Sequence, residues 1–276
     1  MPTISVPKTR VLTGAGFLYR APIGTLLPGQ TSATVTNRAL TSNVATLTTS
    51  TAHGFAVGVQ IFVSIGDAVF DGLYTTTSGT ATTTINYARV SADVTTGAAT
   101  GTAISWLAGG TVAGGVFTDA WGTGWVPVGV TKSGHEFKWS PKTDKVEVAE
   151  YVLPLRIVTT GVESSLSFEI AEFTAHNLAF ALNTTTVTTV SGAGATLLTE
   201  VDPPDVGSEV RRMIGWESED CTERMFAIQT IQQGDMSIKH AKGSDNATMG
   251  VEMGLEQPAF GKPFRRFFAG STPVGS

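Results

Sequence analysis

The sequence of 276 residues contains a single cysteine, Cys221, so neither an internal disulfide nor a cysteine-built zinc site is available to it. Positive charge is almost missing from the first half, where Lys8 is the only lysine before Lys132, and the first glutamate is Glu136. No window approaches the ~18 consecutive apolar residues of a membrane-spanning helix. The first 28 residues also lack the apolar run of a secretory signal, so the expectation is a soluble chain made and kept inside a cell, with no membrane insertion. Charged residues amount to 15%, and 18 Lys+Arg against 23 Asp+Glu leave a net charge of −5. A general nucleic-acid binder would carry a basic face instead. What the chain does have is threonine, valine and 31 glycines, a composition for strands and turns rather than helices.

The uneven charge divides the chain. Between Gln30 and Ala113 the charged side chains are Arg38, Asp67, Asp71, Arg89 and Asp93 alone. Short β runs are predicted at 44–49, 57–64, 73–77 and 83–88, separated by turn signals such as His53-Gly54, Gly66-Asp67 and Asp71-Gly72. Phe55, Ile61, Phe62, Val63, Phe70, Tyr74, Ile85 and Tyr87 supply too many large apolar groups for a disordered linker. We therefore expect a mostly β chain of two parts: residues 30–112 as an inserted small β domain, and residues 1–29 with 113–276 as a β sandwich or barrel carrying one short helix.

In the second part, Val162, Leu166, Phe168 and Ile170 fall on one strand face and Glu163, Ser165, Ser167 and Glu169 on the other. Residues 248–255 repeat the pattern, with Met249, Val251, Met253 and Leu255 alternating with Gly250, Glu252, Gly254 and Glu256. Further strands are expected at 125–130, 136–140, 145–149, 155–159, 210–216, 223–230 and 236–240. Thr174 is placed to cap a helix reaching Leu182, with Leu178 and Leu182 on its packing face and Asn183 ending it.

Material for catalysis is thin. His53, His135, His176 and His240 form no HxH or HExxH spacing. Asp67 and Asp71 are separated by Ala68, Val69 and Phe70, which offer no side-chain oxygen to calcium, so a turn is the expected role. Gly14-Ala15-Gly16 and Gly192-Ala193-Gly194 do not extend to a phosphate-binding loop, and no GxSxG elbow is present. The expectation is no enzyme, no cofactor and no metal. The basic and aromatic run Lys262-Pro263-Phe264-Arg265-Arg266-Phe267-Phe268 reads as a terminal arm, docked on a neighbouring subunit or solvated.

Three stretches outside the insert carry a family resemblance. They are Gly16-Phe17-Leu18-Tyr19-Arg20-Ala21-Pro22-Ile23-Gly24-Thr25 followed by Pro28, Trp125-Val126-Pro127-Val128-Gly129, and Leu166-Ser167-Phe168-Glu169-Ile170-Ala171-Glu172-Phe173-Thr174 with Asn177-Leu178. In these the chain resembles the major tail tube proteins of long, flexible-tailed bacteriophages of the actinobacteriophage kind. The insert, through Ala52-His53-Gly54-Phe55, Gly58 and Phe70-Asp71-Gly72-Leu73-Tyr74, is similar to small β modules of phage virion proteins.

The resemblance implies a structural virion protein of the viral tail, assembled in the host cytoplasm. Six copies would form a ring, and stacked rings would form the tube through which DNA is ejected, with the insert on the exterior. The implied partners are further copies of the chain, a tape measure protein, a tail terminator and tail-tip proteins, and DNA in transit without specific binding. A wide DNA passage requires small or acidic walls. The candidate lumen-facing residues are therefore Glu163, Ser165, Ser167, Glu169, Glu252 and Glu256, although an ordinary solvent-exposed face would satisfy the same alternation. Two other classes stay open: a tail-tip or host-surface binding protein using the insert, and a cell-wall hydrolase.

Overall fold

The computed structural model describes residues 16–106, 110–129, 131–146, 156–185, 187–191, 197–234, 236–239, 248–259 and 261–270. Within these the chain is mostly β with one short helix. In chain order the first strands are β1 (Gly16–Pro22), β2 (Ser32–Thr41), β3 (Val44–Thr49), β4 (Gln60–Ser64), β5 (Gly72–Thr75), β6 (Thr84–Ala88) and β7 (Val94–Ser105). Three short and two long strands follow: β8 (Val112–Ala113), β9 (Val116–Phe117), β10 (Val126–Pro127), β11 (Thr131–Val146) and β12 (Arg156–Ile170). After helix α1 (Ala175–Ala181) come β13 (Val187–Ser191), β14 (Leu197–Val201), β15 (Arg212–Ser218), β16 (Glu223–Gln232), β17 (Ser237–Lys239), β18 (Thr248–Leu255) and β19 (Phe264–Phe268). Two compact units result, one from Met1–Thr25 with Gly124–Phe268 and one from Leu26–Thr123 with Ala269–Ser276. The edges of the second, at Leu26 and Thr123, lie outside the 30–112 read from composition, further so at the C-terminal side. The outer part of the strand expected at 145–149, the Gly192-Ala193-Gly194 loop and His240 lie outside the described residues.

The unit from Leu26 is an antiparallel six-stranded sheet in the order β5-β4-β7-β2-β3-β6. Strict alternation builds its core: Ala45 and Leu47 from β3, Ile61 and Val63 from β4, and Ile85 and Tyr87 from β6 are all buried. Tyr87 stacks on Tyr74 with centroids 4.2 Å apart and donates its hydroxyl to the Phe70 carbonyl at 3.0 Å. The β2–β3 hairpin turns through Ser42 and Asn43, both at positive φ (51° and 63°), the conformation that two-residue hairpins need. Strands β2 and β7 were not read from sequence. The alternation of β2 is short and carried by Ala33 and Val35, β7 is built largely of threonine, alanine and glycine, and β7 is held close to β4 at Gly101 (φ 155°), where a Cβ would strike the Ser64 carbonyl.

The other unit is a nine-stranded sheet running β10-β1-β15-β16-β18-β12-β11, with β17 paired to β18 and β19 to β16. Leu18 from β1 and Leu166 from β12, strands well apart in that order, belong to one core with Phe168, Ile214, Trp216, Met225, Met249, Val251 and Met253. The sheet therefore curls its apolar face around a single core, the barrel-like alternative of the expected fold. Burying each such side chain contributes about 1.5–3 kcal/mol.

Helix α1 lies on that apolar face. The Thr174 Oγ1 accepts the Asn177 N–H at 3.1 Å, and Asn183 leaves the helix at φ 57°. Phe180, 1% exposed, is the side chain that enters the core, where it stacks over Phe168. Leu178 packs against the same core half-buried, and Leu182 is the half-exposed C-cap.

Three details depart from the sequence reading. The strands expected at 136–140 and 145–149 are one sixteen-residue strand, β11, which runs through Pro141 opposite the fifteen-residue β12. Val162, expected in the core, is 45% exposed, because β18 backs β12 only from Ser165 to Ile170 and the earlier half of the hairpin has no third strand. The run 264–268 is a strand of the chain's own sheet rather than a solvated arm. It is β19, antiparallel to Glu223–Ala227 of its own sheet, with Phe264 packed on Phe137 and Phe267 on Phe226.

Candidate functional site

The two polar strand faces read separately from sequence are one surface. Antiparallel pairing of β12 with β18 sets Ser165 opposite Gly254, Ser167 opposite Glu252 and Glu169 opposite Gly250. On the other side of β12, β11 sets Lys138 opposite Ser165 and Glu136 opposite Ser167. Beyond β18, Ile231 of β16 lies opposite Gly254. Directly opposite residues point to the same side of a sheet, so these side chains share one face four strands wide while Leu166, Phe168, Val251 and Met253 fill the core behind it.

The face is small at its centre and acidic at one end. An open groove of about 490 Å³ runs across the ends of three strands, lined by Gly134, Glu136, Ser167, Glu169 and Glu252, with His135 at its floor. Glu136 and Glu252 are exposed and Glu169 half-exposed, and none of the three carboxylates makes a hydrogen bond or ion pair among the described residues. The amide of the exposed Gln233 side chain lies over the Gly254 α-carbon, so a side chain there would have to displace it.

The remaining candidates are placed differently. Glu163 sits where the β11–β12 hairpin leaves the sheet and forms an exposed ion pair with Lys142. Glu256 is neutralised: Arg211 grips it through Nε at 2.6 Å and Nη2 at 3.2 Å, and Gln229 donates to it at 2.8 Å. The Arg211 hydrogen bond comes first among the causes that hold the Glu256 carboxyl below its usual range. Ser165, Ser167, Glu169 and Glu252 thus fall on one surface, with Glu163 at its margin and Glu256 in a closed ion pair. Glu136 and Lys138 were missed. Their alternation with Phe137 is visible in the sequence, but that β11 flanks β12 on the side away from β18 is not.

His135 belongs to the inner side. Its ring packs on Trp216 with centroids 4.8 Å apart, its Nδ1 is buried without a hydrogen-bond partner, and burial with the nearby Arg266 lowers its pKa to about 4. It is a neutral core group at pH 7. Among the described residues no three His, Cys, Asp or Glu side chains converge to hold a metal ion. No helix among them is long and apolar enough to cross a membrane. With Glu136, Glu169 and Glu252 set against the exposed Lys138, the arrangement presents net negative charge beside hydroxyls and glycines, which repels a polyanion. Compared with known proteins, the chain matches no family model and no curated protein sequence.

Proposed function

We propose that the chain is the tube-forming subunit of a long, flexible phage tail. Subunits join through sheet edges into hexameric rings, and the rings stack into the conduit for DNA. The observation that carries this reading is one sheet with two properties. Its terminal strand β11 is sixteen residues long and, among the described residues, pairs only with β12, and its outward face is small and acidic. A long unpaired edge is a template for strand addition, and addition that repeats around an axis closes into a barrel whose inner wall is one face of every sheet. An acidic inner wall avoids the counterion release by which basic walls bind DNA.

In this reading Ser165, Ser167, Glu169 and Glu252 line the lumen together with Glu136. The unit from Leu26 to Thr123, with its own complete core, is carried as an outer decoration. Further copies of the chain and the tape measure, terminator and tail-tip proteins are its partners in the virion, and it performs no catalysis.

Negative-stain microscopy of the purified full chain at rising concentration tests the reading, and rings or cylinders are expected. The variant Glu169→Lys/Glu252→Lys would give a ring of six about twelve new positive charges, and its tubes should retain DNA in a salt-sensitive way. Charge-reversed tubes that pass DNA like the wild type would put this face on the exterior. A chain that stays monomeric and binds host cell surfaces through residues 26–123 would favour the adhesin instead.

A further inference from the structure

Four arginines of the chain are matched to carboxylates within it: Arg38 to Asp67, Arg211 to Glu256, Arg224 to Glu217 and Arg266 to Glu223. Arg20 of β1 and Arg212 of β15 are not. They lie on adjacent strands and converge on one cavity of about 280 Å³ beside α1, whose walls include Pro22, Val126, Ala179 and Val187. Both guanidinium groups lie over the Phe180 ring, at 4.9 and 5.8 Å from its centroid. Each donates once to a backbone carbonyl, Arg20 Nη1 to His176 at 3.1 Å and Arg212 Nη2 to Thr184 at 2.9 Å. The Arg212 Nε is buried with no acceptor, and among the described residues no carboxylate pairs with either side chain. Burial, and then the neighbouring Arg212, lower the pKa of Arg20 to about 10. Two half-buried cations beside one cavity, neither paired with a carboxylate among the described residues, make a receptor for a carboxylate, which a guanidinium grips in a planar fork.

The chain also carries a match for this receptor. Residues 202–209, Asp202-Pro203-Pro204-Asp205-Val206-Gly207-Ser208-Glu209, hold three carboxylates and no cation. The loop is preformed by two prolines and by a turn in which Ser208 donates to the Asp205 carbonyl through N (3.0 Å) and Oγ (2.6 Å). Glu209 is used locally, accepting from the Gly207 N–H at 3.1 Å. Asp202 and Asp205 are exposed and make no side-chain hydrogen bond or ion pair among the described residues. Between them and Glu209, Val206 stands fully exposed, an apolar tip suited to walls of proline and valine. No residue of this loop lines the cavity of its own chain, and residues 1–15 contain no carboxylate side chain that could fill it.

We propose that the cavity between Arg20 and Arg212 receives the 202–209 loop of a second copy, with Asp202 or Asp205 on the guanidinium pair and Val206 against the apolar walls. Because cavity and loop are different surfaces, the contact is head-to-tail and propagates from copy to copy. This rests on the self-assembly proposed above and assigns it a specific contact.

The test is a charge swap in the full chain, read by the concentration at which assemblies appear in sedimentation and on micrographs. Asp202→Arg/Asp205→Arg alters only exposed loop positions and should raise that concentration about tenfold or more while leaving the circular dichroism of the subunit unchanged. Arg20→Glu/Arg212→Glu should do the same, and the two pairs combined should restore assembly. Loop variants that assemble like the wild type, or a swap that restores nothing, would overturn this contact while leaving self-assembly standing. A wild-type chain that never assembles would overturn the tube reading itself, and the contact with it.

Discussion

The two units use charge in opposite ways. In the unit from Leu26, each of the five charged side chains between Gln30 and Ala113 is engaged by a hydrogen bond or ion pair within the unit. Arg38 binds Asp67 at 2.5 Å, Asp71 accepts the Ile65 N–H at 2.6 Å, Arg89 donates to the Val69 carbonyl at 2.6 Å and Asp93 accepts the Ser42 N–H at 2.9 Å. The other unit also keeps interior pairs, notably Arg224 with Glu217 at 2.6 Å, yet it leaves Glu136, Glu169 and Glu252 side by side with nothing bound. A group of like charges left together on a surface contributes nothing to folding, so its reason lies in what the surface meets. Sparse charge in one unit marks a self-sufficient scaffold, and displayed charge in the other marks a working face.

The comparison breaks first at the cores. Phe70→Ala, at a position fully buried in the Leu26 unit, should cost that unit about 3–5 kcal/mol, and Leu166→Ala should cost the other about 2–5 kcal/mol. Calorimetry should then show one of two transitions moving in each variant; a single transition shifted equally by both would end the picture of separate cores. Next in size, Glu217→Ala removes the carboxylate paired with the buried Arg224 and should destabilise by about 3 kcal/mol, with Glu217→Gln recovering part of the loss in urea melts.

Acid comes third. His135 has its pKa depressed to about 4 in the folded chain against roughly 6.5 unfolded, so the unfolded state takes up its proton first. The stability it protects is complete above that unfolded value and is lost as pH falls toward 4. Allowing for the ring's partial exposure, the loss should be on the order of 2 kcal/mol. His135→Gln should flatten the melting temperature between pH 6.5 and 4, and an unchanged slope would assign the loss to other groups. The smallest effects sharpen the contrast of charges. Arg38→Ala should cost about 1 kcal/mol, while Glu252→Gln should stay within about 0.5 kcal/mol in the same denaturant series. A large loss at Glu252 would make it a structural residue after all.

Much of this fold could be read from periodicity where one face is buried and the other wet. The runs at 44–49 and 248–255 became β3 and β18 with the same bounds, and Thr174 caps the helix it was expected to cap. Reading stopped where burial is not one-sided. β1 lies inside the sheet and carries no clean alternation, β7 is built of small residues, and the far half of β12 alternates without a core to serve. The candidate face was legible strand by strand but not as a surface. The pairing that joins Ser167 to Glu252 spans residues far apart in the chain, and no local signal encodes it. The Arg20–Arg212 cavity was invisible for the same reason, since its two cations meet only once β1 lies against β15.

That pairing of β1 with β15 also orders events in time. Gly16 finds its partner only when Ser218 exists, and Glu223–Ala227 gain their second edge only with Phe264–Phe268. As the chain emerges during synthesis, the Leu26 unit has every strand of its sheet and can close early, whereas the sheet with the long free edge waits for residues made near the end. The strand with the greatest capacity to recruit a neighbour is thus produced well before its own sheet is finished. A chain stalled between residues 171 and 211 would present a complete β11–β12 hairpin without the strands that back it. Such intermediates should be the ones that aggregate.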